Sequence, residues 1–205
     1  MTELRRTKLL ASALLLAGCA AGLAGCASLR SVEGEERACE RGDAEACGRV
    51  GFLYYEGTDV PADPARAERY LHRACDGDDL DACYNLAVLL LNGPQPLPDS
   101  ARARELSRAA CDRAHIASCG LLGILQRDGV GGPVHLPGAV ANFERACAEN
   151  DAKACNNLGA AYLSGTGVPV DRPRGIELLR RACDGGFAQA CRNLDRVEDR
   201  RRSTP

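Results

Sequence analysis

Cysteines are the residues of this 205-residue chain best placed to do chemistry, and its twelve could serve metal ligation, thiol exchange or structural cross-linking. Ten of them lie on a ruler. Cys39, Cys75, Cys111, Cys147 and Cys183 stand 36 residues apart, and each is followed eight positions later by Cys47, Cys83, Cys119, Cys155 and Cys191. Zinc sites favour cysteines separated by two to four residues, a thioredoxin-like site needs two, and here there are seven. No histidine accompanies the pairs in register. The spacing therefore predicts structural disulfides. Pairing at separation eight uses all ten cysteines, whereas pairing across a helical hairpin, as from Cys47 to Cys75, leaves Cys39 and Cys191 alone. Local pairs are expected.

Other chemistry is sparse. His72, His115 and His135 lack HExxH or HxH spacing, so no metal site is expected and each reads as a surface helix or loop residue. The glycines from Gly129 to Gly132 have neither the dinucleotide fingerprint nor the terminal Lys-Ser/Thr of a P-loop, and read as an inter-helix turn. Asp76, Asp112 and Asp184, each just after a cysteine, read as turn residues capping backbone amides. No cofactor is expected. A net charge of −2 offers no basic field for nucleic acid, and the absence of Trp argues against a stacking platform.

Fixed periods of this length mark stacked supersecondary units. After the second cysteine of each unit come an apolar residue at +3 and a small one at +4: Val50 and Gly51, Leu86 and Ala87, Leu122 and Gly123, Leu158 and Gly159. This spacing, continued at +7 by Tyr54, Leu90, Gln126 and Tyr162, places one apolar face on a helix. Glycines at +10 (Gly57, Gly93, Gly129, Gly165) are expected to stop it. A second helix then opens at Asp63-Pro64, Asp99-Ser100, Leu136-Pro137 and Asp171, with Asp as N-cap and Pro in the first turn. The third opening, with Leu136 in the place of Asp, is expected to lack a cap. Beyond Leu194 the sequence turns polar, as the exposed end of a repeat array requires.

The N-terminus has a different character. Arg5, Arg6 and Lys8 precede an apolar run from Leu9 to Leu16 and then small residues, the layout of a secretory signal. Leu-Ala-Gly-Cys occurs twice, ending at Cys19 and at Cys26, and resembles the lipobox of bacterial lipoproteins, in which the Cys becomes the acylated first residue. Cleavage before Cys26 leaves an even set of ten other cysteines; Cys19 is the alternative site. The expected organisation is a lipoprotein signal at 1–26, a short linker and start of an opening helix at 27–38, repeats at 39–194 (four full helix pairs plus partial end units) and a polar cap and tail at 195–205. The opening helix is expected from about Glu33 to Arg41.

The run Leu158-Gly159-Ala160-Ala161-Tyr162-Leu163-Ser164-Gly165-Thr166-Gly167-Val168 and the phrase Arg180-Arg181-Ala182-Cys183-Asp184-Gly185-Gly186 resemble the Sel-one-like repeat (SLR) family, a relative of the tetratricopeptide repeat. The likeness covers about Cys39 to Leu194 and is similar to the bacterial cysteine-rich lipoprotein members. It implies an all-α fold, a right-handed alpha-alpha superhelix of 36-residue, disulfide-stapled helix pairs with the first helix of each pair on the concave side. Gln126 in place of an aromatic and the loop from Val130 to Pro137 depart from the pattern in the third unit.

Two functions follow from the resemblance. One is an envelope scaffold, lipid-anchored and facing the periplasm or the cell surface, that binds a protein, a peptide or a cell-envelope polymer in its groove. The other is a beta-lactamase, penicillin binder or peptidoglycan-related hydrolase, a label some cysteine-rich members carry. No Ser is followed three residues later by Lys and no Lys-Thr-Gly occurs, so the serine beta-lactamase machinery is missing. No catalytic residue is expected. Positions +5 and +8 after the second cysteine are expected to face the groove, which makes Phe52, Tyr55, Val88, Leu91 and Ile124 the candidate ligand contacts, with Phe52 and Tyr55 as anchors.

Overall fold

The computed structural model describes residues 23–93 and 99–203, with side chains from 32 to 199 within them. Cys19 and the apolar run before it lie outside the described residues, as does the side chain of Cys26. Among the described residues there are ten helices and no strand: α1 Leu23–Glu40, α2 Ala44–Glu56, α3 Pro64–Asp76, α4 Leu80–Asn92, α5 Ser100–Asp112, α6 Ile116–Asp128, α7 Leu136–Ala148, α8 Ala152–Ser164, α9 Arg172–Asp184 and α10 Ala188–Ser203. They form two compact units, α1 to α3 and α4 to α10. The opening helix is longer than expected. It is already helical at Leu23, the first described residue, and runs unbroken through Ser28 and Ser31 to Glu40.

Each first helix is held to the following second helix by the small residue at +4. A Cβ on Gly51 would stand 2.9 Å from the Leu71 nitrogen, and one on Gly159 would stand 2.9 Å from the Gly175 carbonyl oxygen. Gly175 returns the contact, its own missing Cβ falling 3.0 Å from the Gly159 oxygen. Backbones thus touch where a side chain would hold them apart. Around these points Val50, Leu71, Leu86, Leu122, Phe143, Leu158 and Leu179 are buried.

Gly57, Gly129 and Gly165 end α2, α6 and α8 in the left-handed conformation, with φ of 70°, 70° and 76°. The loop that follows is closed by one recurrent hydrogen bond: the amides of Asp63, Asp99, His135 and Asp171 donate to the carbonyls of Tyr54, Leu90, Gln126 and Tyr162 at 2.8 to 2.9 Å. Asp63, Asp99 and Asp171 then cap the second helices. In the third unit the cap position is His135, and Leu136 is already inside α7; His135 makes no side-chain cap bond. The loop before it is instead fixed by Arg104, 6% exposed, whose guanidinium donates to the carbonyls of Val130 (3.2 Å) and Pro133 (2.9 Å).

A second set of turns joins the units of the repeat. Gly42, Asp78, Ala114, Asn150 and Gly186, again 36 residues apart, all take positive φ, between 65° and 98°. Around them the amide of the next residue reaches back to the helix, as from Asp151 to Ala146 and from Phe187 to Ala182. Disulfides span these turns: Cys39–Cys47, Cys111–Cys119 and Cys147–Cys155 with Cα atoms 4.6 Å apart, and Cys183–Cys191 at 4.7 Å. Cys75 and Cys83 are disulfide-bonded as well. Asp76, Asp112 and Asp184 do not cap these turns: each is the last residue of a second helix, and Asp76 pairs with His72 at 2.8 Å. The capping carboxylates come later, at Asp43 and Asp151, which accept from the amides of Ala46 and Ala154.

Candidate functional site

In the second unit, successive first helices present one face to a shared groove of about 540 Å³. Tyr84 from α4, Leu121 and Ile124 from α6, Asn157 from α8 and Phe187 just before α10 line it, with Lys153 at its edge. Apolar walls alternate with single polar groups, the composition expected of a recognition surface. Of the five expected contacts Ile124 lines this groove. Val88 and Leu91 are half-buried on α4. Phe52, 44% exposed, and the half-buried Tyr55 lie on α2 in the first unit. Counted from the second cysteine of each repeat, Lys153 lies at −2, Tyr84 at +1, Leu121 and Asn157 at +2, Ile124 at +5 and Phe187 at −4, so most of the lining comes earlier in the repeat than the expected +5 and +8. The column Arg49, Asn85, Leu121, Asn157 and Asn193 at +2, three of them Asn, was a readable signal for it.

His115 is not the lone histidine its spacing suggests. Its Nδ1 lies 2.8 Å from the Ser118 hydroxyl and its Nε2 lies 3.0 Å from Asp81 Oδ1, with the Tyr84 ring 6.0 Å away. The order Ser, His, Asp is that of a nucleophilic relay. Burial removes that chemistry: Ser118 is fully enclosed, so no substrate carbonyl can approach its oxygen. His115 stands where Asp43 and Asp151 cap the equivalent helices but makes no side-chain cap bond; the array instead links α4 to α6. Among the described residues no three His, Cys, Asp or Glu side chains are grouped to hold a metal ion.

Two polar clusters 108 residues apart brace the helix pairs. Tyr54 donates to Glu36 at 2.9 Å, Tyr70 donates to the same oxygen at 3.1 Å, and Arg66 lies over the Tyr54 ring while donating to its hydroxyl. Tyr162 likewise donates to Glu144 at 3.1 Å beneath Arg174. Burial, first, and the neighbouring Glu push all three phenols above the ordinary tyrosine range. The third unit has Gln126 here, and it accepts from Asn142 at 2.8 Å.

A profile of the Sel1 repeat matches residues 44–79, 80–115 and 152–187, more than half of the chain. The chain belongs to the Sel1 repeat family. The stretch 116–151, with Gln126 and the uncapped α7, lies outside the matched Sel1 repeats. Among solved structures the chain is similar to a protective antigen of uropathogenic Escherichia coli displaying an SLR fold (25% identity, TM-score 0.77, 82% of this chain and 36% of that one). It is also similar to a Sel1 repeat protein of Oxalobacter formigenes (26%, TM-score 0.68, 81% and 48%) and to Helicobacter pylori cysteine rich protein B (25%, TM-score 0.52, 67% and 99%). The chain thus spans less than half the length of the first two. No curated protein matches it. The fold is that of a Sel1 repeat scaffold, and the disulfides suit an exported protein in an oxidising compartment.

Proposed function

We propose that the protein is an envelope-anchored scaffold that binds a protein or peptide partner along the face of its first helices. The observation that carries this reading is the 540 Å³ groove, in which half-buried apolar side chains from consecutive repeats stand beside isolated polar ones. Such a surface gains from covering Leu121, Ile124 and Phe187, while Asn157 and Lys153 set register by hydrogen bonds. The test is capture from envelope extract on immobilised oxidised protein. Leu121→Ser combined with Ile124→Ser should abolish the captured band, and retention of that band by a folded variant would refute the groove as the binding face. Phe52 and Tyr55 are proposed as a further contact, tested by Phe52→Ser with Tyr55→Ser.

The anchor is the acyl group on Cys26, supported by the tandem Leu-Ala-Gly-Cys motifs. Several acyl chains on one residue exceed the marginal hold of a single chain. Among the described residues no helix is long and apolar enough to cross a membrane. Incorporation of a fatty-acid probe should be lost in Cys26→Ala; loss in Cys19→Ala alone would move the site. The proposed boundaries remain a signal at 1–26, a linker at 27–38, repeats at 39–194 and a cap at 195–205.

A further inference from the structure

Between α8, α9 and α10 lies a second cavity of about 330 Å³, lined by Ala160, Leu163, Leu179 and Val197 with Arg172 and Arg196 beside them. One repeat earlier the same notch exists between α6, α7 and α8, and its volume is only about 90 Å³. The 36-residue ruler explains the difference. Phe143 fills the earlier notch where Leu179 stands in the later one, so an aromatic ring has been traded for space. The charges differ in the same sense. In the earlier notch Arg127 is already satisfied, bonded to both Asp128 oxygens at 2.7 and 2.9 Å and to Asn157 at 3.2 Å. In the later notch Arg172 and Arg196 make no side-chain hydrogen bond or ion pair with any described residue. Position +2 is polar in both, Asn157 and Asn193.

Resting on the reading of the first-helix face as a binding surface, we infer that this last notch is a specificity subsite for an acidic peptide segment, taking one aliphatic side chain between Leu163, Leu179 and Val197 and flanking carboxylates on Arg172 and Arg196. A void of this volume accommodates a Leu or Ile side chain, whose burial is favourable. Two guanidiniums without an internal acid supply the complementary charge, and arginine forks match carboxylates in geometry as well as sign. The occupant is a Glu- or Asp-flanked aliphatic residue inside a chain.

The probe is a fluorescein-labelled peptide with an internal Glu-Leu-Glu, its C-terminus amidated, titrated by anisotropy into the full-length oxidised protein in detergent. Saturable binding is expected, weakened at least about tenfold by Glu→Gln or Leu→Ala in the peptide and by Arg172→Gln with Arg196→Gln in the protein, since a charge-assisted contact is worth that much. Val197→Phe, which refills the notch from its rim, should weaken binding while leaving helicity and melting unchanged. Leu179→Phe recreates the earlier notch and serves as a second filling variant. Equal binding of the Gln peptide, or of the double arginine variant, would overturn the proposal; so would binding restricted to a peptide ending in a free Leu carboxylate. Envelope capture separates the two levels: a captured partner with no peptide binding sinks the subsite alone, whereas loss of capture altogether sinks the groove.

Discussion

At the residue scale the structure turns on a few positions where backbone must come close or bend backwards. Gly159 meets the Gly175 carbonyl with no room for a methyl group, so Gly159→Ala should cost about 1 to 3 kcal/mol in urea unfolding. Gly34, in the middle of α1 with nothing near its missing Cβ, provides the control, and Gly34→Ala should gain about 0.5 to 1 kcal/mol. Ala114 is the residue most at odds with its turn, at φ 65° where Gly42 and Gly186 stand in equivalent turns. Ala114→Gly should therefore raise stability, by up to about 1 kcal/mol, since left-handed backbone costs a Cβ-bearing residue that much or more. The phenols of Tyr54, Tyr70 and Tyr162 ionise above the usual range because burial, and then a carboxylate, disfavour the phenolate. Their folded values are raised, so this contribution is complete below the ordinary pH of about 10 and is lost as pH climbs through the raised values. Melting temperature should fall across that alkaline window, and fall less steeply in Tyr162→Phe.

At the element scale the N-caps make a comparative test possible within one chain. Asp171 accepts from the Arg174 amide at 3.0 Å, and Asp171→Ala should cost about 1 kcal/mol. His135 offers α7 no side-chain cap, so His135→Asp should recover stability of similar size by urea unfolding. These caps were readable because an Asp stands at every second-helix opening but the third, with Pro64, Ser100 or Pro173 close behind it; in the third the cap position is His135, one residue before the expected Leu136. Helix α1 is less legible, because its N-terminal half carries Gly25, Ser28 and Ser31, residues of low helix propensity that locally signal a boundary, and is helical all the same. The His115–Asp81 contact was invisible as a motif because its partners are 34 residues apart, close to one repeat. In a repeat array residues about one period apart are neighbours in space, as Asn193 and Asn156 also are at 2.8 Å.

At the scale of the whole molecule the cysteine ruler carried most of the information, since an uninterrupted 36-residue period fixes helix-pair repeats and turns together. The lining of the groove was less legible. It depends on how a helix is rotated about its axis: Tyr84 at +1, Asn157 at +2 and Phe187 at −4 from their second cysteines line the groove, and none of them is at the expected +5 or +8. Each disulfide closes a loop of about nine residues and should contribute roughly 2.5 kcal/mol, so five together rival the entire stability of an ordinary domain. Reduction under native conditions should collapse the far-ultraviolet helical signal near room temperature, where the oxidised protein keeps it. The binding claim itself is most directly tested by a photo-crosslinking amino acid placed, in separate variants, at Leu121, Ile124 and Asn157 in the groove and at exposed Arg108 and Glu177 on second helices, followed by irradiation in cells. Adducts of one partner at the three groove positions and none at the other two is the result predicted; adducts confined to Arg108 and Glu177 would contradict it.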